Sequence, residues 1–89
     1  MISRSLTIIN RLGLHARAAT RLVNCASEFN ARIIIRKGTR SINGKSIMGV
    51  LTLAASPGTE LVIEASGDDE EQAIEAIARL ILNRFGEGE

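Results

Sequence analysis

The sequence predicts an α+β sandwich whose elements follow the order β-α-β-β-α-β-α. Three observations support this: short segments of alternating or β-branched residues, longer segments with apolar residues at helical spacing, and Gly or Pro between them. Amphipathic helices must then cover the apolar face of a sheet and leave its other face partly wet. The 89 residues contain no repeat and no long linker, so we expect one domain over residues 1–89.

The first strand and the first helix are separated by a short break. Residues 5–9 place Leu6 and Ile8 on one side with Thr between them, which is typical of a half-buried strand. From Ala16 onward, apolar residues at helical spacing predict a buried stripe formed by Ala19, Leu22, Val23 and Ala26. His15 stands directly before this helix.

The middle of the chain predicts a hairpin followed by a short helix. Residues 31–37 are rich in β-branched side chains, and Gly38 favours a tight turn into a second strand around residues 40–42. Ser46 can cap a helix that begins near Ile47, because its hydroxyl can accept a hydrogen bond from an unpaired backbone N–H of the first turn.

The last third predicts a loop, a fourth strand and a final helix. Residues 56–58 (Ser-Pro-Gly) favour a loop, and residues 60–65 alternate between two faces as in a strand. Asp68 and Glu71 resemble a capping box at the start of the helix. Its predicted apolar stripe comprises Ala73, Ile74, Ile77, Ala78, Ile81 and Phe85.

Charge is divided unevenly along the chain, although the net charge is only +1. The first fifty residues carry +8, with Glu28 as their single acid, and the remainder carries −7. If the basic residues share one face, that face will attract acidic partners, but folding could instead interleave the two sets.

Several absences narrow the class of protein. A single cysteine, Cys25, cannot form an intramolecular disulfide, and residues 1–5 lack the apolar stretch of a secretory signal. No segment approaches the roughly 20 apolar residues of a membrane span. We therefore expect a soluble cytoplasmic protein. The sequence has no metal-ligand cluster and no glycine-rich nucleotide loop, so we expect no metal and no cofactor.

His15 is the only histidine and directly precedes a predicted helix, where backbone N–H groups lack partners and the helix dipole is positive. Such a position favours a neutral imidazole that can attack phosphorus. The backbone N–H groups of Ala16 and Arg17 can then hold the phosphoryl product, and the Arg17 guanidinium can add a charged fork. Without a second acid or base, we expect a phosphoryl carrier rather than an enzyme that turns over a small substrate.

Residues 13–19 (Gly-Leu-His-Ala-Arg-Ala-Ala) and 43–49 (Asn-Gly-Lys-Ser-Ile-Met-Gly) together resemble the histidine-containing phosphocarrier family HPr. The resemblance extends over nearly the whole chain. It implies an open-faced β-sandwich, in which three helices cover one face of a four-stranded antiparallel sheet. It also implies that enzyme I, charged by phosphoenolpyruvate, phosphorylates Nδ1 of His15 and that this chain then charges an enzyme IIA domain.

Ala18 departs from the family pattern, because many members have proline at this position. Proline is tolerated in the first helical turn rather than required by the chemistry. Alanine restores a backbone N–H, so we expect phosphate binding to survive.

The resemblance further implies a docking surface and a regulatory site. The predicted docking residues are Thr20, Arg21, Lys45, Ile47, Met48 and Leu51. Core packing is the alternative for the apolar members, and simple solubility is the alternative for the charged ones. Ser46 resembles the serine that an ATP-dependent HPr kinase/phosphorylase modifies in some members. A phosphate there would add negative charge beside the docking surface, and helix capping is the compatible structural role.

Three other functions are open to the sequence. The chain could serve the nitrogen-related branch (NPr-like) rather than sugar uptake, or act only as a binding partner whose state is set at Ser46. The basic first half also suggests an RNA-binding module, but Phe29 and Phe85 are the only aromatic residues and offer no stacking platform. We therefore expect protein partners, no nucleic acid and no membrane, and a monomer.

Overall fold

The alternating segments of the sequence form one sheet in the computed structural model, which describes residues 1–88. The strands are β1 (Ile2–Thr7), β2 (Arg32–Lys37), β3 (Arg40–Asn43) and β4 (Glu60–Ser66). The helices are α1 (Ala16–Ser27), α2 (Ile47–Thr52) and α3 (Glu70–Leu82), followed by a 3-10 turn over Arg84–Gly86. The predicted element order is confirmed.

All neighbouring strands are antiparallel, in the order β1-β4-β2-β3. The register places Leu61 opposite Leu6 and Ile63 opposite Ile35, and all four side chains are buried. Residues directly opposite each other share a face of the sheet, so these pairs form its apolar side. The alternation along the sequence thus becomes one buried face.

The helices cover that face, which confirms the open-faced β-sandwich. Helix α3 packs on β1 and β4, and α1 packs against α2 and α3. The predicted α1 stripe is buried, with Ala18 in addition, and the predicted stripe of α3 is buried from Ala73 to Ile81. Each fully buried Leu or Ile contributes about 1.5–3 kcal/mol. Within residues 1–88, no helix is both long and apolar enough to cross a membrane.

The predicted bounds of the first strand and the predicted cap of the last helix differ from the structure. Strand β1 spans Ile2–Thr7 rather than residues 5–9, because its pairing with β4 begins at Ile2 opposite Ala65. The capping box predicted at Asp68 is absent, since α3 follows Asp69 and this residue makes no side-chain cap bond.

The Asp69 carboxylate is used by a more distant segment instead. Its two oxygens accept hydrogen bonds from the backbone N–H groups of Asn30 and Ala31, both at 2.8 Å. These bonds tie the start of α3 to the start of β2. These long-range donors occupy the carboxylate of the N-cap residue, so Asp69 does not cap its own helix.

Opposite charges partly interleave across the fold. Arg4 on β1 pairs with Glu75 on α3 at 2.6 Å, and Arg36 on β2 pairs with Glu64 on β4. The division of charge along the sequence is therefore only partly a division in space.

Candidate functional site

His15 is the N-cap residue of α1 and has an extended backbone (φ −77°, ψ 178°). Its carbonyl oxygen accepts a helical hydrogen bond from the backbone N–H of Ala19 at 2.8 Å. Its ring nitrogen Nδ1 accepts a hydrogen bond from the backbone N–H of Arg17 at 3.3 Å. The imidazole thus occupies the place that a Ser or Asp oxygen takes at other helix starts. Nδ1 lies at the positive end of the helix dipole, as the sequence predicts.

The loop before α1 fixes His15 from the other side. Gly13 has φ +67°, and a Cβ there would lie 2.6 Å from the carbonyl oxygen of Ala55, so the position requires glycine. The backbone N–H of Leu14, a buried residue, donates to the same oxygen at 2.9 Å. Buried Asn10 donates from Nδ2 to the Gly13 carbonyl at 2.9 Å. These contacts hold the chain leading to His15 against the core.

The other ring nitrogen of His15 contacts Glu87, a residue that no motif singles out. Oε2 of Glu87 forms a hydrogen bond with Nε2 of His15, and Oε1 accepts one from Nδ2 of Asn10 at 2.9 Å. The side chain of Glu87 is only 9% exposed, and that of His15 is 28% exposed. Because Nδ1 accepts a hydrogen bond and a carboxylate can only accept, the neutral tautomer with its proton on Nε2 fits both contacts.

The surroundings of Glu87 favour its charged form. Burial raises the pKa of its carboxyl, but hydrogen bonds from Asn10 and His15 and the positive charge of Arg17 lower it. The pKa of Glu87 therefore lies below its ordinary value. The site holds a carboxylate at neutral pH.

A strained turn after α3 brings Glu87 to His15. Arg84 and Phe85 have φ of 53° and 54°, a left-handed conformation that costs a non-glycine residue about 1–2 kcal/mol. Burial of the Phe85 ring offsets this cost, as does a hydrogen bond from the Arg21 guanidinium to the Phe85 carbonyl. The prediction that Phe85 continues the helical stripe is wrong, because α3 ends earlier and this ring reaches the core from a 3-10 turn.

A cavity of about 370 Å³ opens beside the imidazole. It is lined by Arg11, Leu12, His15, Arg17 and Glu87. The lining carries two guanidinium groups against one carboxylate, so it has a net positive charge and suits an anion. Among residues 1–88, no group of three or more His, Cys, Asp or Glu side chains could hold a metal ion.

Ser46 caps α2, as the sequence predicts. Its hydroxyl oxygen accepts a hydrogen bond from the backbone N–H of Gly49 at 3.0 Å. The backbone carbonyl of Ser46 also accepts from Val50 at 2.9 Å. The residue is half-buried, so its hydroxyl already has a structural role at the helix start.

The apolar candidates on α2 differ in exposure. Met48 is 73% exposed and Ile47 is 40% exposed, whereas Leu51 packs partly against the core. Helix α2 packs against α1, which brings this surface to the helix that begins at His15. The lining of the cavity described above includes none of these side chains.

The polar docking candidates each make a contact within the chain. The hydroxyl of Thr20 donates to a backbone carbonyl one helical turn earlier, at 2.8 Å. Arg21 bonds the carbonyl of Phe85, and Nζ of Lys45 donates to the carbonyl of Phe29 at 2.7 Å. Of the predicted site residues, the structure brings together His15, Ala16 and Arg17 at the start of α1. It places Thr20 and Arg21 on α1, and Ile47, Met48 and Leu51 on α2. Lys45 and Ser46 lie directly before α2.

Comparison with known families gives a match over most of the chain. Residues 2–83 match the family model described as PTS HPr component phosphorylation site. The phosphocarrier protein HPr of Cupriavidus necator is 47% identical over 89 residues and covers 100% of both chains. That of Pseudomonas aeruginosa is 44% identical over 90 residues, again with full coverage of both.

Solved structures agree with the sequence relatives. HPr-C-His from Thermoanaerobacter tengcongensis superposes with a TM-score of 0.95 at 44% identity, covering 98% of each chain. The phosphocarrier protein HPr from Bacillus anthracis gives a TM-score of 0.87 at 36% identity, covering 90% of this chain and 95% of that one. The comparisons confirm the resemblance seen in the sequence and give no support to the nitrogen-branch or RNA-binding alternatives.

Proposed function

Because this chain belongs to the HPr family and is a phosphocarrier of the phosphotransferase system, we propose that His15 carries the phosphoryl group on Nδ1. One observation carries the proposal: Nδ1 faces the start of α1, where it accepts a hydrogen bond from the backbone N–H of Arg17, whereas Nε2 is engaged by Glu87. Of the two ring nitrogens, only Nδ1 has its lone pair toward a site that can hold an anion.

The start of α1 supplies the groups that receive the phosphoryl oxygens. The backbone N–H of Arg17, now on Nδ1, can shift to a phosphoryl oxygen once the N–P bond forms. The N–H of Ala16 lies in the first turn, where helix geometry provides no acceptor. The exposed Arg17 guanidinium adds charge-assisted hydrogen bonds. Such donors balance the charge of the phosphoryl group without enclosing it, as transfer between proteins requires.

We propose enzyme I as the donor and an enzyme IIA domain as the acceptor. Family membership supports these partners, and the partial exposure of His15 leaves its ring within reach of another protein. Exposed Met48 and Ile47 on α2 offer an apolar contact surface, to which Leu51, Thr20, Arg21 and Lys45 would be peripheral. Methionine adapts to differently shaped partners, which suits a carrier that meets both a donor and an acceptor.

Ser46 is proposed as a second phosphorylation site, modified by an ATP-dependent HPr kinase/phosphorylase. Its hydroxyl caps α2 directly before the exposed Ile47 and Met48. A phosphate there would be stabilised by the helix start and would place negative charge beside the contact surface. Donor docking would then weaken if the docking face of the donor is acidic.

The chain is proposed to work as a cytoplasmic monomer with one domain over residues 1–89. This chain supplies the hydrogen-bonding groups around the imidazole, from Asn10 to Glu87, which supports a site formed within one copy. The buried apolar residues form one core cluster, which supports a single domain.

A direct assay tests the carrier site. The protein is incubated with phosphoenolpyruvate and enzyme I, and peptides are analysed by mass spectrometry under alkaline conditions. We expect an acid-labile phosphoryl group on the peptide that contains His15, and none in the His15→Ala variant. An adduct that persists in that variant would contradict the assignment. Incubation with ATP and the kinase tests Ser46, where an acid-stable adduct is expected and its absence would reject modification by that enzyme.

A further inference from the structure

The ring of His15 lies between two groups of opposite character. On one side the backbone N–H of Arg17 donates to Nδ1, and on the other the Glu87 carboxylate contacts Nε2. The carboxylate is itself fixed, because Asn10 donates to its second oxygen at 2.9 Å. Helix α1 alone accounts for the first contact. The second depends on a segment that arrives from the other end of the chain.

Asn10 can only act as a donor in this arrangement. Its Nδ2 group faces the Gly13 carbonyl and the Glu87 carboxylate, which are both acceptors. The reverse orientation of the amide would place oxygen against oxygen at both contacts. The buried amide therefore fixes Oε1 of Glu87 as an acceptor and orients the carboxylate toward His15.

The route of the chain to Glu87 indicates that this contact is specific. Two successive non-glycine residues, Arg84 and Phe85, adopt left-handed conformations so that the chain can turn back after α3. Strained backbone of this kind persists only where the surroundings enforce it, and it occurs preferentially at functional sites. The turn delivers a side chain that is nine-tenths buried onto the imidazole of His15.

We propose that Glu87 is a positioning residue for phosphoryl transfer: it keeps the proton of His15 on Nε2 and balances the positive charge that the ring gains when Nδ1 bonds to phosphorus. This inference rests on the proposed function of His15. A carboxylate that orients an imidazole and stabilises its cationic form is a general device in catalysis, and here it would serve a carrier.

The transfer balances without any other reactant. The Nδ1 lone pair forms the bond to phosphorus, and the bond between phosphorus and the donor breaks, leaving its electron pair on the donor. The proton on Nε2 stays in place, so the product is a phosphorylated imidazolium that faces the Glu87 carboxylate. When the acceptor takes the phosphoryl group, Nδ1 recovers its electron pair and the ring leaves as neutral imidazole. Without that Nε2 proton, the leaving group would be an imidazolide anion.

The alternative is that Glu87 only anchors the end of the chain. An anchor would affect stability, but it would not decide which ring nitrogen carries the proton. The tautomer of His15 therefore separates the two roles, and it can be read without any donor protein.

The test combines nitrogen-15 NMR of the His15 ring with the rate of phosphoryl uptake from phosphorylated enzyme I. Glu87→Gln keeps the size of the side chain and removes its charge. Glu71→Gln is the control, because Glu71 is an exposed glutamate at the opposite end of the molecule, in the first turn of α3. Urea unfolding of each variant checks that the fold is retained.

In alkaline solution, where histidine rings are neutral, we expect the Nε2–H tautomer in the wild-type protein and in Glu71→Gln. In Glu87→Gln we expect a mixture of tautomers and phosphoryl uptake slower by about 10-fold to 100-fold, as for loss of a charge-assisted hydrogen bond. An Nδ1–H tautomer in the wild-type protein would overturn the proposal. Phosphoryl uptake at the wild-type rate in Glu87→Gln would also overturn the proposal for Glu87, but it would leave the assignment of His15 as the carrier intact. If wild-type His15 takes up no phosphoryl group, the carrier assignment fails, and the role of Glu87 fails with it.

Discussion

The backbone nitrogen of Arg17 lies 3.3 Å from Nδ1 of His15, so one hydrogen bond joins the first turn of α1 to the proposed reactive atom. In the unphosphorylated protein this N–H donates a hydrogen bond to Nδ1. After transfer it can donate to a phosphoryl oxygen instead, with little movement of the helix. The same two residues thus serve both states of a carrier, which must accept and release its group with similar ease.

The side chain of Arg17 should contribute separately from its backbone. Arg17→Ala keeps the N–H at Nδ1 and removes a guanidinium from the cavity. Loss of a charge-assisted hydrogen bond costs about 1.5–3 kcal/mol, so we expect phosphoryl uptake to slow by roughly 10-fold to 100-fold. Stopped-flow or quench-flow measurement with phosphorylated enzyme I gives the rate.

Arg32→Ala is the matched control for this substitution. Arg32 is also an exposed arginine, but it pairs with Ser66 at the end of the sheet remote from His15. Its removal should leave the rate nearly unchanged. Equal slowing in the two variants would show that overall charge, rather than a local contact, determines transfer.

Substitutions at Ser46 should distinguish the contribution of helix capping to stability from the effect of negative charge on partner binding. Ser46→Ala removes the acceptor for the Gly49 N–H and should lower the free energy of unfolding by about 0.5–2 kcal/mol. Ser46→Asn and Ser46→Asp keep a capping oxygen and should retain near wild-type stability. Of these two, only Ser46→Asp should weaken binding to enzyme I, as calorimetry would measure. Equal binding by the Asn and Asp variants would argue against electrostatic regulation at this position.

Gly13 should be much less tolerant of substitution than Gly58. Both have positive φ, but a Cβ at Gly13 would lie 2.6 Å from the Ala55 carbonyl oxygen, whereas a Cβ at Gly58 would have no neighbouring atom within 4 Å. Positive φ strains a non-glycine residue at both positions, so a larger loss at Gly13 reports the steric clash. We expect Gly13→Ala to be less stable than Gly58→Ala by about 1–3 kcal/mol in urea unfolding. Equal losses would mean that the loop before His15 can move freely.

Asp69 should make stability depend on pH. Hydrogen bonds from the backbone of Asn30 and then Ala31, with the charge of Lys45, lower the pKa of its carboxyl despite partial desolvation. A carboxyl with a lowered pKa in the folded state stabilises the fold above its unfolded pKa, and this contribution is lost as pH falls through the folded value. Asp69→Asn should therefore be less stable than the wild-type protein at neutral pH, by a difference that shrinks below about pH 4.

Urea unfolding at a series of pH values measures this dependence. The exposed neighbour Asp68 provides the control, since Asp68→Asn should change stability little at any pH. A stability difference for Asp69→Asn that persists unchanged into strong acid would contradict the assignment to its carboxylate.

The fold can be predicted from the sequence because buried apolar residues recur at short, regular intervals along the chain. The alternation of Leu61, Ile63 and Ala65 identifies β4, and helical spacing identifies the stripes of α1 and α3. His15 and Ser46 could be placed at helix starts for a similar reason, since the residues that cap a helix are adjacent to it in the sequence. These features depend on neighbours within one or two turns.

The features that the sequence does not predict depend on distant partners. Glu87 lies 72 residues after His15, and no local spacing links the two. The left-handed turn that joins them runs through Phe85, whose apolar character fits a continued helix equally well. Asp69 likewise bonds backbone groups that lie 38 and 39 residues earlier, in place of its own helix. Glycines on both sides of Glu87 are the only sequence signal that the helix does not continue there.

The most direct test of the account is to identify the modified atom in the phosphorylated protein. Phosphorus-31 and nitrogen-15 NMR, recorded at alkaline pH after incubation with phosphoenolpyruvate and enzyme I, distinguish a phosphoryl group on Nδ1 of His15 from one on Nε2. We predict a single phosphohistidine, modified at Nδ1, with the proton retained on Nε2. A phosphoryl group on Nε2, or on any residue other than His15, would contradict the account.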